Sequence, residues 1–202
     1  MTFQRTLLIF AKPARMGVSK TRLAADIGPT EAQRINRFCH SRAMRAARSD
    51  RSWTSIICVA PDSAVTLPTG GLWPADFQRQ PQGLGDLGER LARAFKRAPP
   101  GPVAVIGTDI PDLSGKLIRT AFNALRRRDV VFGPADDGGF WLFAASHAMR
   151  RQPIAFAPVR WSTPHAMSDL IASLPASTRI TRLRTLADLD DAASLKEWSC
   201  RR

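Results

Sequence analysis

Apolar residues in this chain arrive in two alternating rhythms. Short unbroken runs stand at 6–11, 54–60, 103–107 and 130–133, and an aromatic run at 140–144 follows a polar turn. Runs of this length without polar alternation predict strands covered on both faces of a parallel sheet. Between them lie stretches of helical spacing. Ala32, Ile35, Cys39, Ala43 and Ala46 form one stripe; Leu84, Leu87, Leu91, Phe95 and Ala98 a second; Leu117, Ile118, Ala121, Phe122 and Leu125 a third. Each is an apolar face that a helix lays against a sheet, and Arg34, Arg37, Arg45 and Arg48 mark the wet side of the first. Strands alternating with helices predict an α/β fold, a three-layer α/β/α sandwich around a mostly parallel mixed sheet.

Local signals refine the elements. Thr30 and Gln33 have capping-box spacing ahead of the first long helix, and Ser114 precedes the third. Glu89 and Arg93 are spaced as a favourable helical pair. Residues 161–164, Trp-Ser-Thr-Pro, predict another helix start with Ser162 or Thr163 as its cap. A last strand at 179–183 and a terminal helix carrying Leu195 and Trp198 complete the pattern. The stretch 63–75 reads as loop, and 76–81, polar and broken by Pro81, as no buried strand. With no repeat, low-complexity tract or linker, 202 residues suit a single domain over 1–202.

Charge changes the picture only in part. A net charge of +13 favours polyanionic partners, from nucleic acid to phosphorylated small molecules, yet most of the excess is arginine spread along helices. No nucleic-acid reading motif or basic-aromatic platform accompanies it, so no specific nucleic acid is expected. The apolar run at 7–11 is too short for a signal-peptide core or a membrane span, which predicts a cytoplasmic protein. Cys39, Cys58 and Cys200 are scattered, an arrangement that argues for a reducing compartment.

Candidate chemistry gathers where the strands stop. Pro111 cannot continue a central strand, so the run at 103–107 leaves the sheet at Asp109, at the carboxyl edge where open α/β sheets hold ligands. A carboxylate there, with Asp112 as a second one three residues on, is a natural ligand for Mg2+ or Mn2+; Asp109 also suits a turn, and Asp112 or Ser114 a helix cap. Beyond the first strand come Lys12, Arg15, Gly17, Lys20 and Arg22. Cations so placed can gather diphosphate oxygens around a glycine turn, or form an exposed basic loop. The loop is not a Walker A motif, because Ser19 precedes Lys20. Asp137-Gly138-Gly139 reads equally as a hairpin turn or a substrate-binding turn. Asp188 and Asp190 can reach the Asp109 crevice or cap the last helix. Gly83, Gly85 and Gly88 match a dinucleotide fingerprint formally, without the buried strand it requires. No serine or cysteine nucleophile template and no zinc spacing is present.

Taken in order, FAKPARMGVSKTRL, QGLGDLGERL, VIGTDIPDL, GPADDGGFWLF, WST and LADLDDAASL resemble a bacterial glycosyltransferase-A-like family over about residues 6–195. Some of its members are labelled arsenosugar biosynthesis glycosyltransferases, and KTRL is more distantly similar to 2-phospholactate guanylyltransferase. The resemblance implies a nucleotide-diphospho-sugar transferase fold and a transferase using a nucleotide-activated donor and a small-molecule acceptor. It implies nucleotide contacts at Ala11, Lys12, Arg15, Gly17, Lys20, Arg22, Gln82, Gly83, Arg90 and Thr108, with Asp109 and Lys20 catalytic. It implies a divalent metal, Mg2+ or Mn2+, on Asp109 and Asp190, and acceptor contacts at Asp137, Gly138, Gly139 and Trp161. The family often carries tyrosine after the glycine pair; this chain has Phe140-Trp141 and no tyrosine anywhere.

Overall fold

Unbroken apolar runs need cover on both faces, and they find it in a seven-stranded sheet. The computed structural model describes residues 3–17, 19–152, 154, 156 and 159–200. Strands β1 (Arg5–Ala11), β2 (Trp53–Val59), β3 (Gln78–Pro81), β4 (Val103–Ile106), β5 (Val130–Pro134), β6 (Phe140–Ala145) and β7 (Ile180–Arg182) lie in the order β3-β2-β1-β4-β6-β5-β7. β6 runs antiparallel to both its neighbours; every other pairing is parallel. The mixed sheet expected from the patterning is therefore present.

Period-two alternation sorts the two cores. Leu7, Ile9 and Ala11 of β1 join Ile57, Val59, Ala104 and Ile106 on one face, beneath helices α2 (Pro29–Arg48) and α4 (Gly115–Ala124). Leu8, Ile56, Cys58, Val103 and Val105 point the other way, toward α3 (Leu87–Arg97), α5 (His147–Arg150) and α6 (Ala166–Ala172). A satellite core joins Leu23 of α1 (Thr21–Ile27), Ala32, Ile35 and Cys39 of α2, and Leu189, with Leu195 and Trp198 of α7 (Ala192–Cys200) packed against it.

Several local expectations change. β3 forms where polarity and Pro81 argued against a buried strand; it is an outermost strand whose missing ladder donor is tolerated. α2 begins at Pro29 with Gly28 as its N-cap, so no Thr30–Gln33 capping box forms; Gln33 reaches back to the Ala14 carbonyl instead. The capping box belongs to α3, where Asp86 and Glu89 exchange hydrogen bonds of 2.9 Å. Arg93 accordingly turns to the Gln82 and Leu84 carbonyls rather than to Glu89. Ser114 sits at the N-cap of α4 without a side-chain cap bond, and α6 starts later than expected, after His165.

The order 3-2-1-4 places the site. The chain leaves β1 toward β2 and β3, then returns to add β4 on the opposite side of β1. A crevice opens at such a reversal, at the carboxyl ends of β1 and β4. The loops after β1, β3, β4 and β7 and the β5–β6 turn all meet at that edge.

Candidate functional site

β1 delivers its basic segment directly into the crevice. Gly17 turns at φ +74, and Lys20 stands just before α1 in the left-handed conformation, φ 58 and ψ 37. That conformation is uncommon for a residue with a Cβ. It directs the side chain inward until only 2% is exposed, with Nζ 2.7 Å from Asp109 Oδ1 and 2.7 Å from Asp190 Oδ1. Burial by itself would lower the Lys20 pKa; the charges of Asp109 and then Asp190 outweigh it and hold the ammonium above its ordinary value. Val18, in the same segment, lies outside the described residues.

The two carboxylates reach Lys20 from distant parts of the chain. Asp109 follows β4 directly. Asp190 arrives on the segment after β7, where the Leu186 N–H donates to the Pro134 carbonyl and the Leu189 N–H to the Asp109 carbonyl. Leu189 is fully buried, so it anchors its neighbour at the crevice. Asp190 is thereby brought to Asp109, the first of the two placements the sequence left open. Asp112 points elsewhere, accepting a 2.9 Å hydrogen bond from the Trp198 indole.

A cleft of about 620 Å³ opens over this triad. Ala11, Lys12, Lys20, Arg22, Gln82, Arg90, Thr108, Asp109 and Asp190 line it, all of them residues to which the resemblance assigned nucleotide or metal contacts. Arg15, Gly17 and Gly83 do not. Arg15 and Gly17 are exposed on the loop, and the Gly83 N–H donates to Asp62 Oδ1 at 2.9 Å. Gln82 donates its side-chain amide to the Cys58 carbonyl at 2.9 Å, which ties the β3 end to β2. Arg90 holds the 83–86 loop through the Gly85 carbonyl, also at 2.9 Å.

A smaller cavity of about 190 Å³ adjoins the cleft and shares Leu87, Gly107, Asp109 and Ser162 with it. Asp137, Gly139, Trp161 and Asp188 line this second space. Gly138 does not; its role is close packing. It stands at φ +84, and a Cβ there would come within 2.2 Å of the Pro164 carbonyl oxygen. Trp161 is fixed by donating its indole N–H to the Phe156 carbonyl at 3.2 Å. Burial, then the nearby charges of Asp190 and Asp137, push the Asp188 carboxyl up to about 6.

Asp109 and Asp190 offer hard oxygen atoms that already converge on one cation. Among the described residues no group of three or more His, Cys, Asp or Glu side chains gathers as a metal cage. Two carboxylates suffice for Mg2+ or Mn2+ when substrate phosphates and water complete the shell, so the donor set fits such an ion.

Among the cleft residues to which the sequence assigned no role are two buried polar ones. Asn36 and His40 stand one turn apart on α2, each only 1% exposed, and both line the cleft. Asn36 Nδ2 donates to Ser19 Oγ at 2.7 Å, next to Lys20, while its Oδ1 has no partner among the described residues. His40 Nδ1 accepts the Trp73 indole N–H at 3.0 Å. Their one sequence signal was a pair of polar residues four apart beside the apolar stripe of α2.

Burial lowers the His40 pKa to about 4, with Asp109 opposing and Lys20 and Arg37 reinforcing the shift. The unfolded imidazole takes its proton near 6.5, well before the folded one. Stability from His40 is therefore complete above pH 6.5 and lost as pH falls toward 4. Urea denaturation is expected to show about 2 kcal/mol more loss between pH 7 and 4.5 in the wild type than in His40→Gln. Parallel pH profiles in the two proteins would contradict this assignment.

Comparison with known proteins places this geometry. A family model described as an uncharacterized protein conserved in bacteria, DUF2064, matches residues 43–163. A structure from Desulfovibrio desulfuricans G20, named provisionally as a nucleotide-diphospho-sugar transferase, superposes with a TM-score of 0.82 at 26% identity. That match covers 98% of this chain and 87% of the other. The 4-diphosphocytidyl-2C-methyl-D-erythritol synthase of Anaerococcus prevotii DSM 20548 shares the fold at TM-score 0.62 and 12% identity, covering 98% and 96% of the two chains. So does Rv0371c of Mycobacterium tuberculosis H37Rv, solved with manganese, at TM-score 0.53 and 16% identity over 96% and 97%. No curated protein sequence matches the chain. Among the described residues no helix is long and apolar enough to cross a membrane.

Proposed function

We propose that this chain, which belongs to the DUF2064 family, is a metal-dependent transferase acting on a nucleotide-activated donor, with glycosyl transfer ahead of nucleotidyl transfer. One observation carries the reading: Asp109 lines both the large basic cleft and the smaller cavity beside it. A group in transit between a donor and an acceptor needs such a shared wall. The resemblance to the Desulfovibrio protein at 26% identity, against 12% for the Anaerococcus synthase, favours a sugar nucleotide as the donor.

In this reading the donor diphosphate lies along Lys12, Lys20, Arg22 and Arg90. Their fixed charges meet the negative charge that grows on the leaving phosphate, the kind of stabilisation that contributes most when water is excluded. Asp109 and Asp190 would hold Mg2+ or Mn2+, which would supply further neutralisation of that leaving group. The acceptor occupies the smaller cavity against Trp161, and the Asp137 and Asp188 carboxylates orient its hydroxyl or amine. No covalent nucleophile is required, because positioning and charge stabilisation carry the reaction.

Product analysis tests this. Incubation with sugar nucleotides, Mn2+ and a panel of small hydroxylated acceptors is expected to release nucleoside diphosphate. Pyrophosphate release from a nucleoside triphosphate would instead establish nucleotidyl transfer. Absence of both, across all common bases, would defeat the transferase reading.

A further inference from the structure

The large cleft has a polar floor that the transfer chemistry above does not use. α2 turns an otherwise apolar stripe toward the sheet, yet Asn36 and His40 interrupt it on the cleft side. Asn36 Oδ1 is buried without a hydrogen-bond partner among the described residues, an exception that asks for an explanation. Among the described residues His40 has one hydrogen-bond partner, the Trp73 indole at Nδ1, and its ring stacks near-parallel to Trp73 at 10°. Indole nitrogen can only donate. Nδ1 is therefore the acceptor of a neutral imidazole, and the proton resides on Nε2. No described residue accepts from Nε2, and His40 forms part of the cleft wall. Trp73 itself is 2% exposed, held in the loop between β2 and β3, so the tautomer is set by a rigid partner.

We propose that His40 is a fixed neutral donor whose Nε2–H meets an oxygen of the bound nucleotide, phosphate or ribose, with Trp73 as the positioning residue that enforces this tautomer. The inference rests on the nucleotide-binding reading of the cleft. A neutral donor suits this place. A protonated imidazole beside Lys20 would add a second buried cation, whereas an N–H dipole adds direction without net charge. Burial of the ring, which lowers its pKa to about 4, keeps it neutral across the physiological range. Asn36 contributes indirectly, by anchoring Ser19 and with it the approach of Lys20.

The test combines spectroscopy with binding on the full chain. Nitrogen-detected NMR of labelled imidazole is expected to report the Nε2–H tautomer of His40 at pH 7, with a mixture in Trp73→Phe. Calorimetric titrations then compare wild type, His40→Gln, His40→Leu and Trp73→Phe with three probes: pyrophosphate, the four common nucleoside diphosphates, and the free nucleosides. Glutamine retains an N–H near the Nε2 position, so its affinity is expected within about threefold of wild type. Leucine removes the donor and is expected to weaken binding about tenfold or more. A loss seen with pyrophosphate assigns the contact to phosphate; a loss confined to nucleosides and nucleoside diphosphates assigns it to ribose. An Nδ1–H tautomer, a charged ring at pH 7, or unaltered binding in His40→Leu overturns the inference while leaving the transferase reading intact. Wild type that binds none of the probes overturns both. If His40→Leu does not fold, the wild-type tautomer and the affinities of His40→Gln and Trp73→Phe decide.

Discussion

Asp109→Asn is expected to abolish the metal-dependent part of donor binding and to lower turnover roughly 10²–10³-fold. The substitution keeps the size of the side chain and removes only its charge. Asp109 contacts Lys20, borders both cavities, and gives its backbone carbonyl to the Leu189 N–H. The backbone bond survives in the asparagine variant, so Asp190 stays in place and the fold should be little changed. Thermal shift makes the result quantitative. A ligand at 100 times its Kd stabilises the native state by about 2.7 kcal/mol, or roughly 5–10 °C for a chain of this length. Wild type should show that shift with its cognate sugar nucleotide only when Mn2+ or Mg2+ is present. Asp109→Asn should show a smaller shift, identical with and without metal. Equal, metal-dependent shifts in both proteins would remove Asp109 from the site.

The sequence disclosed the parts of the fold that depend on period, and lost those that depend on context. β1, β2, β4, β5 and β6 were legible because a strand buried on both faces has to be continuously apolar. β3 was not, since Gln78, Arg79 and Gln80 sit at the sheet margin, where burial asks little of a side chain. α1 was also invisible: seven residues with only Leu23 fully buried leave no stripe to read. Within the site, Asp109 was readable from the abrupt end of its strand. Its pairing with Asp190 was only an open alternative, because the two are joined through Leu189 and the return of the chain beside β5 rather than by any local pattern. The Trp73–His40 contact spans a loop rich in proline and glycine, and nothing in either segment announces the other.

Lys20→Met should separate the two roles that one ammonium combines. Methionine keeps most of the length and the apolar stem of the buried side chain, but Asp109 and Asp190 then face each other without a shared cation. Both carboxylates are about half exposed, at 47% and 50%, so solvent screens much of their repulsion and the protein should still fold. The donor diphosphate loses its most deeply buried cation, and turnover is expected to fall roughly 10²–10³-fold. Divalent metal should respond in the opposite sense. In wild type the ammonium competes for the oxygens an ion would take; in the variant those oxygens are free. Mn2+ alone, without nucleotide, is therefore expected to raise the thermal midpoint of Lys20→Met by more than that of wild type. Arginine would not rescue activity, because a wider planar fork cannot take the place of a compact point charge that is 2% exposed and shared by two carboxylates. Should Mn2+ stabilise both proteins equally while activity still collapses, Lys20 would remain a phosphate ligand, and the metal would have to sit away from Asp190.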